Sequence, residues 1–164
     1  MFTENQMFTN SAKCASFETL IHNCQIVMGE QTDNDSFFFG LHYMVDGYNA
    51  PAEVLRDRGI LEKALAEIPA KMGMYAITEP TIVEVGPNNK KDPGGLSGVV
   101  LIAESHISFH TFPGRGFVTI DTYTCQNTLD TDKLLAEFKA AFQFQDEETH
   151  LVTRGRRYPS ENIT

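Results

Sequence analysis

Basic residues are scarce in this chain. It carries 13 Lys and Arg against 22 Asp and Glu in 164 residues, a formal net charge of -9. Binding to phosphate backbones needs a basic face, so nucleic-acid recognition is excluded as the function class. The same acidity suits a cationic ligand, because an acidic cleft concentrates cations. Cysteine is also rare. Cys14, Cys24 and Cys125 are an odd number, with no C-x-x-C pair and no Cys/His set at zinc spacing. Neither a disulfide framework nor a structural zinc site is expected. There is no apolar run of the ~18–20 residues a membrane span needs. MFTENQMFTNSAKCASF lacks the basic region and apolar stretch of a leader. These absences predict a cytoplasmic protein with reduced thiols and no membrane association. A G-x-S-x-G nucleophile elbow is missing too, which argues against a serine hydrolase.

What is present suits one domain over residues 1–164, since 41% apolar residues can fill a single core. Residues 1–35 are polar, with a short helix expected over 15–27. FFFGLHYMVDGY (37–48) is aromatic and β-prone. Asn49 is placed to cap a helix with Pro51 in its first turn. Leu61, Leu65, Ile68 and Met72 recur at spacings of three and four, giving one helical face that stops at Gly73. Residues 75–85 read as a strand interrupted by Pro80, and 86–95 as a turn-rich loop. LSGVVLIA, HISFH and FVTIDTYTC read as strands, with PGRG as a turn before the last. Asp130 opens a helix to about Phe142, and a strand follows near 149–153. The order β-α-β-β-β-α-β predicts an α+β fold: a two-layer sandwich, a mostly antiparallel sheet with helices on one face. The uncovered face or a sheet edge invites a second copy.

The out-of-place polar residues cluster in ESHISFH, directly after an apolar strand. Glu104, Ser105, His106, Ser108 and His110 lie there, and Cys125 ends the next strand. Ser, His and Cys together suggest nucleophilic catalysis. They are equally what a hydrogen-bonded strand end and a buried thiol look like. Strand alternation puts Ser105 and His110 on opposite faces unless the chain turns at Ser105. Asp121 is the one candidate for an acidic third member. His106 and His110 share a strand side, but no further ligand completes a metal site.

LSGVVLIAESHISFHTFPGRGFVTIDTYTC closely resembles the core of the prokaryotic S-adenosylmethionine decarboxylases, pyruvoyl-dependent enzymes of polyamine biosynthesis. Weaker similarity runs back through FGLHYMVDGY and forward to TRG at 153–155. The resemblance implies that Ser105 attacks the carbonyl of Glu104 and converts their peptide bond to an ester. His110 would act as the processing base that drives β-elimination. Ser97 resembles a second processing serine that helps hold the ester. The products would be a β chain of 1–104 and an α chain of 105–164 headed by a pyruvoyl group. That group, with no metal, would accept the substrate amine as a Schiff base and take up the electrons left when CO2 departs. Cys125 resembles the proton donor to the resulting carbanion. A homodimer of αβ units is implied as well. A silent regulatory paralogue is the other reading, and such proteins usually lose the processing residues that are intact here.

Two positions depart from the family pattern. H-T-W/F-P is usually followed by a Glu that accepts hydrogen bonds from the substrate ribose, and Gly114 stands there. An aromatic that stacks on adenine usually precedes the L-S-G motif, and in KDPGGLSG its place is Lys91. A charge-assisted hydrogen bond contributes about 1.5–3 kcal/mol and a stacked ring about 1 kcal/mol. On this ground the sequence slightly favours a basic amino acid, L-arginine or L-ornithine, over S-adenosylmethionine as substrate.

Overall fold

The computed structural model describes residues 38–88, 90–91, 93–103, 105–159 and 161–163. The helix expected over 15–27 lies outside them. Six strands form one sheet in the order β2-β3-β4-β5-β1-β6, and every pairing is antiparallel. The strands are β1 (Gly40–Tyr48), β2 (Thr81–Val85), β3 (Gly95–Ile102), β4 (Ser105–Phe112), β5 (Phe117–Thr124) and β6 (Asp146–Arg154). Helices α1 (Ala52–Arg56), α2 (Arg58–Lys71) and α3 (Thr131–Phe142) complete the chain. The helices cover one sheet face, so the two-layer α+β expectation holds.

The period-2 pattern sorts residues between the faces. Val45, Leu96, Val100, Ile107, Phe109, Val118 and Ile120 point to the helices and are buried against Leu61, Leu65, Ile68, Leu134, Phe138 and Phe142. Fully burying each such side chain contributes roughly 1.5–3 kcal/mol. Two glycines of GGLSG make this packing possible. A Cβ on Gly98 would stand 2.5 Å from the Phe109 ring, and one on Gly95 would stand 1.9 Å from the Thr111 carbonyl oxygen. Thr111 is buried but satisfied: it accepts from Leu96 N at 3.0 Å and donates to the Leu55 carbonyl at 2.9 Å. It therefore ties β4 to β3 and to α1.

Three local expectations are corrected. The first helix is two helices, because Asp57 is extended (φ -81°, ψ 96°) and its carboxylate accepts from Ile60 N at 3.0 Å, capping α2 afresh. Asn49 is no cap; it takes the left-handed conformation (φ 57°) in the turn out of β1, where asparagine is well tolerated. The strand read over 75–85 shrinks to β2, with Ala76 making a single bridge to Ile102. Pro80 cannot donate to a ladder, so it interrupts the pairing as read, and the continuous ladder begins only after it. The stop at Gly73 (φ 70°) and the Asp130 cap of α3, which accepts from Lys133 N at 3.0 Å, are as read. No helix of the described residues is long and apolar enough to cross a membrane.

Candidate active site

Ile102 pairs with Ser105, so residues 103 and 104 alone join β3 to β4. Ser105 therefore opens β4 directly after a two-residue connection. Ser105 Oγ is buried and has no hydrogen-bond partner among the described residues. The short turn Pro113–Arg115 and β5 bring the chain back, as the PGRG reading expected. Cys125 follows β5 directly, and its Sγ lies 3.8 Å from the carbonyl oxygen of Ala103. The β4–β5 register pairs His106 with Tyr123. Continuing that register by one step sets Ser105 beside Thr124. Gly40 lets β1 approach here, since a Cβ on it would lie 2.9 Å from Cys125 Cα.

Ser97 and His110 form a second pair. They face each other across β3 and β4, with Oγ and Nδ1 2.8 Å apart. Both point to the face that no helix covers. Pro93, Lys91 and Gly114 cluster at this same end of the sheet. The Arg115 guanidinium donates to the Lys90 carbonyl, tying the 86–95 loop to the Pro113–Arg115 turn. Gly114 is exposed, and a Cβ there would meet only Pro93 Cβ, at 3.9 Å.

The structure does not bring the two pairs together within one chain. β4 is unbroken from Ser105 to Phe112, so His110 lies five positions beyond Ser105, roughly 17 Å of strand. Their side chains also take opposite sides, as uninterrupted alternation requires. Ile107, Phe109 and Thr111 on the Ser105 side are buried. The hairpin turn comes before Ser105 rather than at it, so it does not reverse the alternation.

The uncovered face holds a network that the sequence reading missed. His42 Nε2 is 2.9 Å from Asp121 Oδ1. Asp121 is thus the partner of His42, and a Ser-His-Asp arrangement through His110 is not formed. The Tyr123 ring lies between His42 and His106, 6.0 Å from each, with the Arg154 guanidinium 4.6 Å from its centroid. Asp46, on the same face, has its carboxyl raised above the usual range by burial first, and then by Glu148 and Asp121. His42 was within sight in FGLHYMVDGY, since period-2 alternation assigns it to this face. Its pairing with Asp121 depends on a register the sequence does not print. Ser108 also lies on this face, opposite Val99 and Asp121. Among the described residues no group of three His, Cys, Asp or Glu could hold a metal ion.

Comparison with known proteins agrees with this layout. Residues 41–155 match the family model described as S-adenosylmethionine decarboxylase. The S-adenosylmethionine decarboxylase proenzyme of Thermococcus onnurineus is 32% identical over 129 residues, covering 76% of this chain and 84% of that protein. That of Pyrococcus furiosus is 36% identical over 107 residues, covering 63% and 72%. The crystal structure of the adenosylmethionine decarboxylase from Aquifex aeolicus superposes with a TM-score of 0.62 at 24% identity, covering 77% of this chain and 98% of that one, a likeness of fold. With the family model spanning more than two thirds of its length, the chain belongs to the S-adenosylmethionine decarboxylase family of pyruvoyl-dependent decarboxylases.

Proposed function

We propose that this chain cuts itself between Glu104 and Ser105 and, as chains 1–104 and 105–164, decarboxylates S-adenosylmethionine. The observation that carries the reading is Ser105 itself, a buried hydroxyl with no protein partner among the described residues, at the start of β4, in a chain whose relatives bear the name proenzyme. A hydroxyl that no protein group engages is available to attack the carbonyl of the residue before it in the chain. The residues present suit a pyruvoyl group formed at Ser105, beside Cys125. Such a group supplies an electron sink for the electrons released with CO2. Cys125 delivers a proton at the position of the lost carboxyl, from a thiol next to the hairpin.

The substrate preference drawn from Gly114 and Lys91 is corrected here. The relatives above are named for S-adenosylmethionine, and they favour it over L-arginine or L-ornithine. The acidic open face does not discriminate, because a sulfonium and a guanidinium are both cations. Gly114 also stands in open space at the surface, so its lost carboxylate leaves no buried group unpaired. CO2 release from S-adenosylmethionine, L-arginine and L-ornithine, run side by side on the cut protein, tests the choice. Turnover of a basic amino acid alone would overturn it.

The distance between the two pairs supports a dimer. Two copies placed face to face through their uncovered sheets, running in opposite directions, set Ser97 and His110 of one against Ser105 and Cys125 of the other. Ser105 opens β4, and at a strand end its hydroxyl would have to turn toward that face as the second copy docks, before the chain is cut.

Two variants probe the assignments. Cys125→Ala is expected to be cut into two chains normally while its kcat falls by about 100-fold or more, the usual share of a positioned acid. Unchanged turnover on a stopped-flow or CO2 assay removes Cys125 from the mechanism. Gly114→Glu restores the carboxylate at a site with room for it. The KM for S-adenosylmethionine is expected to drop by roughly ten- to a hundredfold, the worth of one charge-assisted hydrogen bond. A KM that stays the same places the ribose contact elsewhere.

A further inference from the structure

Two side-chain hydroxyls are buried without a partner in the described molecule, and they are neighbours: Ser105 Oγ and Thr122 Oγ1. Thr122 is 0% exposed, on the helix side of β5. It pairs with Ile107, so Ser105, two residues back along β4, is its diagonal cross-strand neighbour on the same side. Diagonal neighbours have Cβ atoms somewhat under about 7–8 Å apart. Each hydroxyl oxygen stands one bond beyond its Cβ. The remaining gap suits one water, whose two hydrogen bonds of about 2.8 Å span some 5.5 Å.

The other buried threonines sharpen the contrast. Thr111 makes hydrogen bonds to Leu96 and Leu55, and Thr124 accepts from Gln126 N at 3.2 Å. Thr122 alone among them is unsatisfied, although a valine of the same shape would fill the site without an unpaired oxygen. Buried polar atoms of this kind are where ordered water sits.

We propose that Thr122 is a positioning residue for self-processing, holding the water that completes the pyruvoyl group. The proposal rests on the self-cleavage reading above. Once the ester between Glu104 and Ser105 breaks by β-elimination, residue 105 is a dehydroalanine with a free amino group. It tautomerises to an imine bearing a methyl group. One water adds its oxygen to the imine carbon, the carbon–nitrogen bond breaks, and ammonia leaves, so a ketone remains. Nothing is oxidised or reduced, and one water is consumed for one ammonia released. Before cleavage Ser105 Oγ and Thr122 Oγ1 share the water. Afterwards the Ser105 oxygen is lost to the Glu104 carboxylate, and Thr122 keeps the water against the reacting carbon.

The full chain made by cell-free synthesis, followed by denaturing electrophoresis and intact mass, tests this. Wild type and Thr122→Ser are expected to give the pyruvoyl α chain at equal rates. Thr122→Val is expected to be cut as fast, but to accumulate an α chain lighter by the difference between O and NH. Its conversion to the ketone should slow by at least roughly tenfold, the worth of one hydrogen bond. Its Tm should not fall. Pyruvoyl formation at the wild-type rate in Thr122→Val overturns the proposal, as does a folded Thr122→Val that is never cut, or a Thr122→Ser as slow as the valine. If the valine variant does not fold, Thr122→Ala is read by the same criteria. A wild-type chain that stays whole defeats the self-cleavage reading itself, which is a different result.

Discussion

Ser105→Ala protein is expected to migrate as one uncut chain and to release no CO2 from any substrate, while the wild type is expected to separate into fragments of 1–104 and 105–164. The effect is total because the same oxygen is asked to do two things. In the proposed reaction it is the nucleophile on the Glu104 carbonyl, and its loss leaves no route to the ketone that would later accept electrons. Stability moves in the opposite direction from activity. Ser105 Oγ has no protein partner among the described residues, so alanine breaks no protein hydrogen bond and makes only a small void. The Tm is therefore expected to equal or exceed that of the unprocessed wild type. This dissociation separates a chemical role from a structural one: a serine kept for packing would lose stability and leave cleavage untouched. A wild-type chain that remains whole would instead favour the silent-paralogue reading.

The second large effect is a rescue. Ser105→Ala and His110→Ala chains are each expected to be inactive when made alone. Made together, they are expected to recover roughly a quarter of the wild-type activity, because half of randomly paired dimers are mixed and each mixed dimer holds one complete site of its two. The reasoning starts from the unbroken β4, which keeps Ser105 and His110 roughly 17 Å apart and on opposite sides in one chain. A general base must come within hydrogen-bond reach of the proton it takes. A single chain of this shape cannot meet that condition; a second copy docked on the uncovered face would meet it if residue 105 turns toward it. The mixed dimer also predicts which chain is cut. Mass analysis should find the His110→Ala chain divided at Ser105 and the Ser105→Ala chain whole. Zero activity in the mixture, with mixed dimers demonstrated by differential tagging, would return both residues to one chain and require β4 to bend.

The network of His42, Asp121 and Tyr123 bears on that pairing. It lies on the uncovered face, among the carboxylates Asp46 and Glu148, and half-buried already. A second sheet laid over it would desolvate these groups further. The pairing of His42 with Asp121 and the stacking of Arg154 over Tyr123 leave fewer bare charges to cover than the sequence composition suggests.

Much of this protein was legible in the linear text. Alternation over 96–102, 107–111 and 118–124 assigns residues to two faces because side chains in a strand repeat every two residues. The spacing of Leu61, Leu65 and Ile68 gives a buried helical stripe, and Asp130 marks the start of α3. The chemistry was visible in ESHISFH and Cys125 through their likeness to a family. Other features were beyond the sequence. The break at Asp57 is decided by one carboxylate choosing to cap Ile60, a competition that helix periodicity does not register. The Ser97–His110 contact, the approach of Cys125 to Ala103 and the His42–Asp121 pair all depend on strand register. Register is fixed by turn length, and a slip of one residue would exchange the faces of a whole strand. The sequence by itself determined which residues could react and which side of the sheet each must take. Only the folded chain decided which of them meet, since contacts between residues 13 to 79 positions apart follow from hairpin geometry and packing rather than from neighbourhood in the chain.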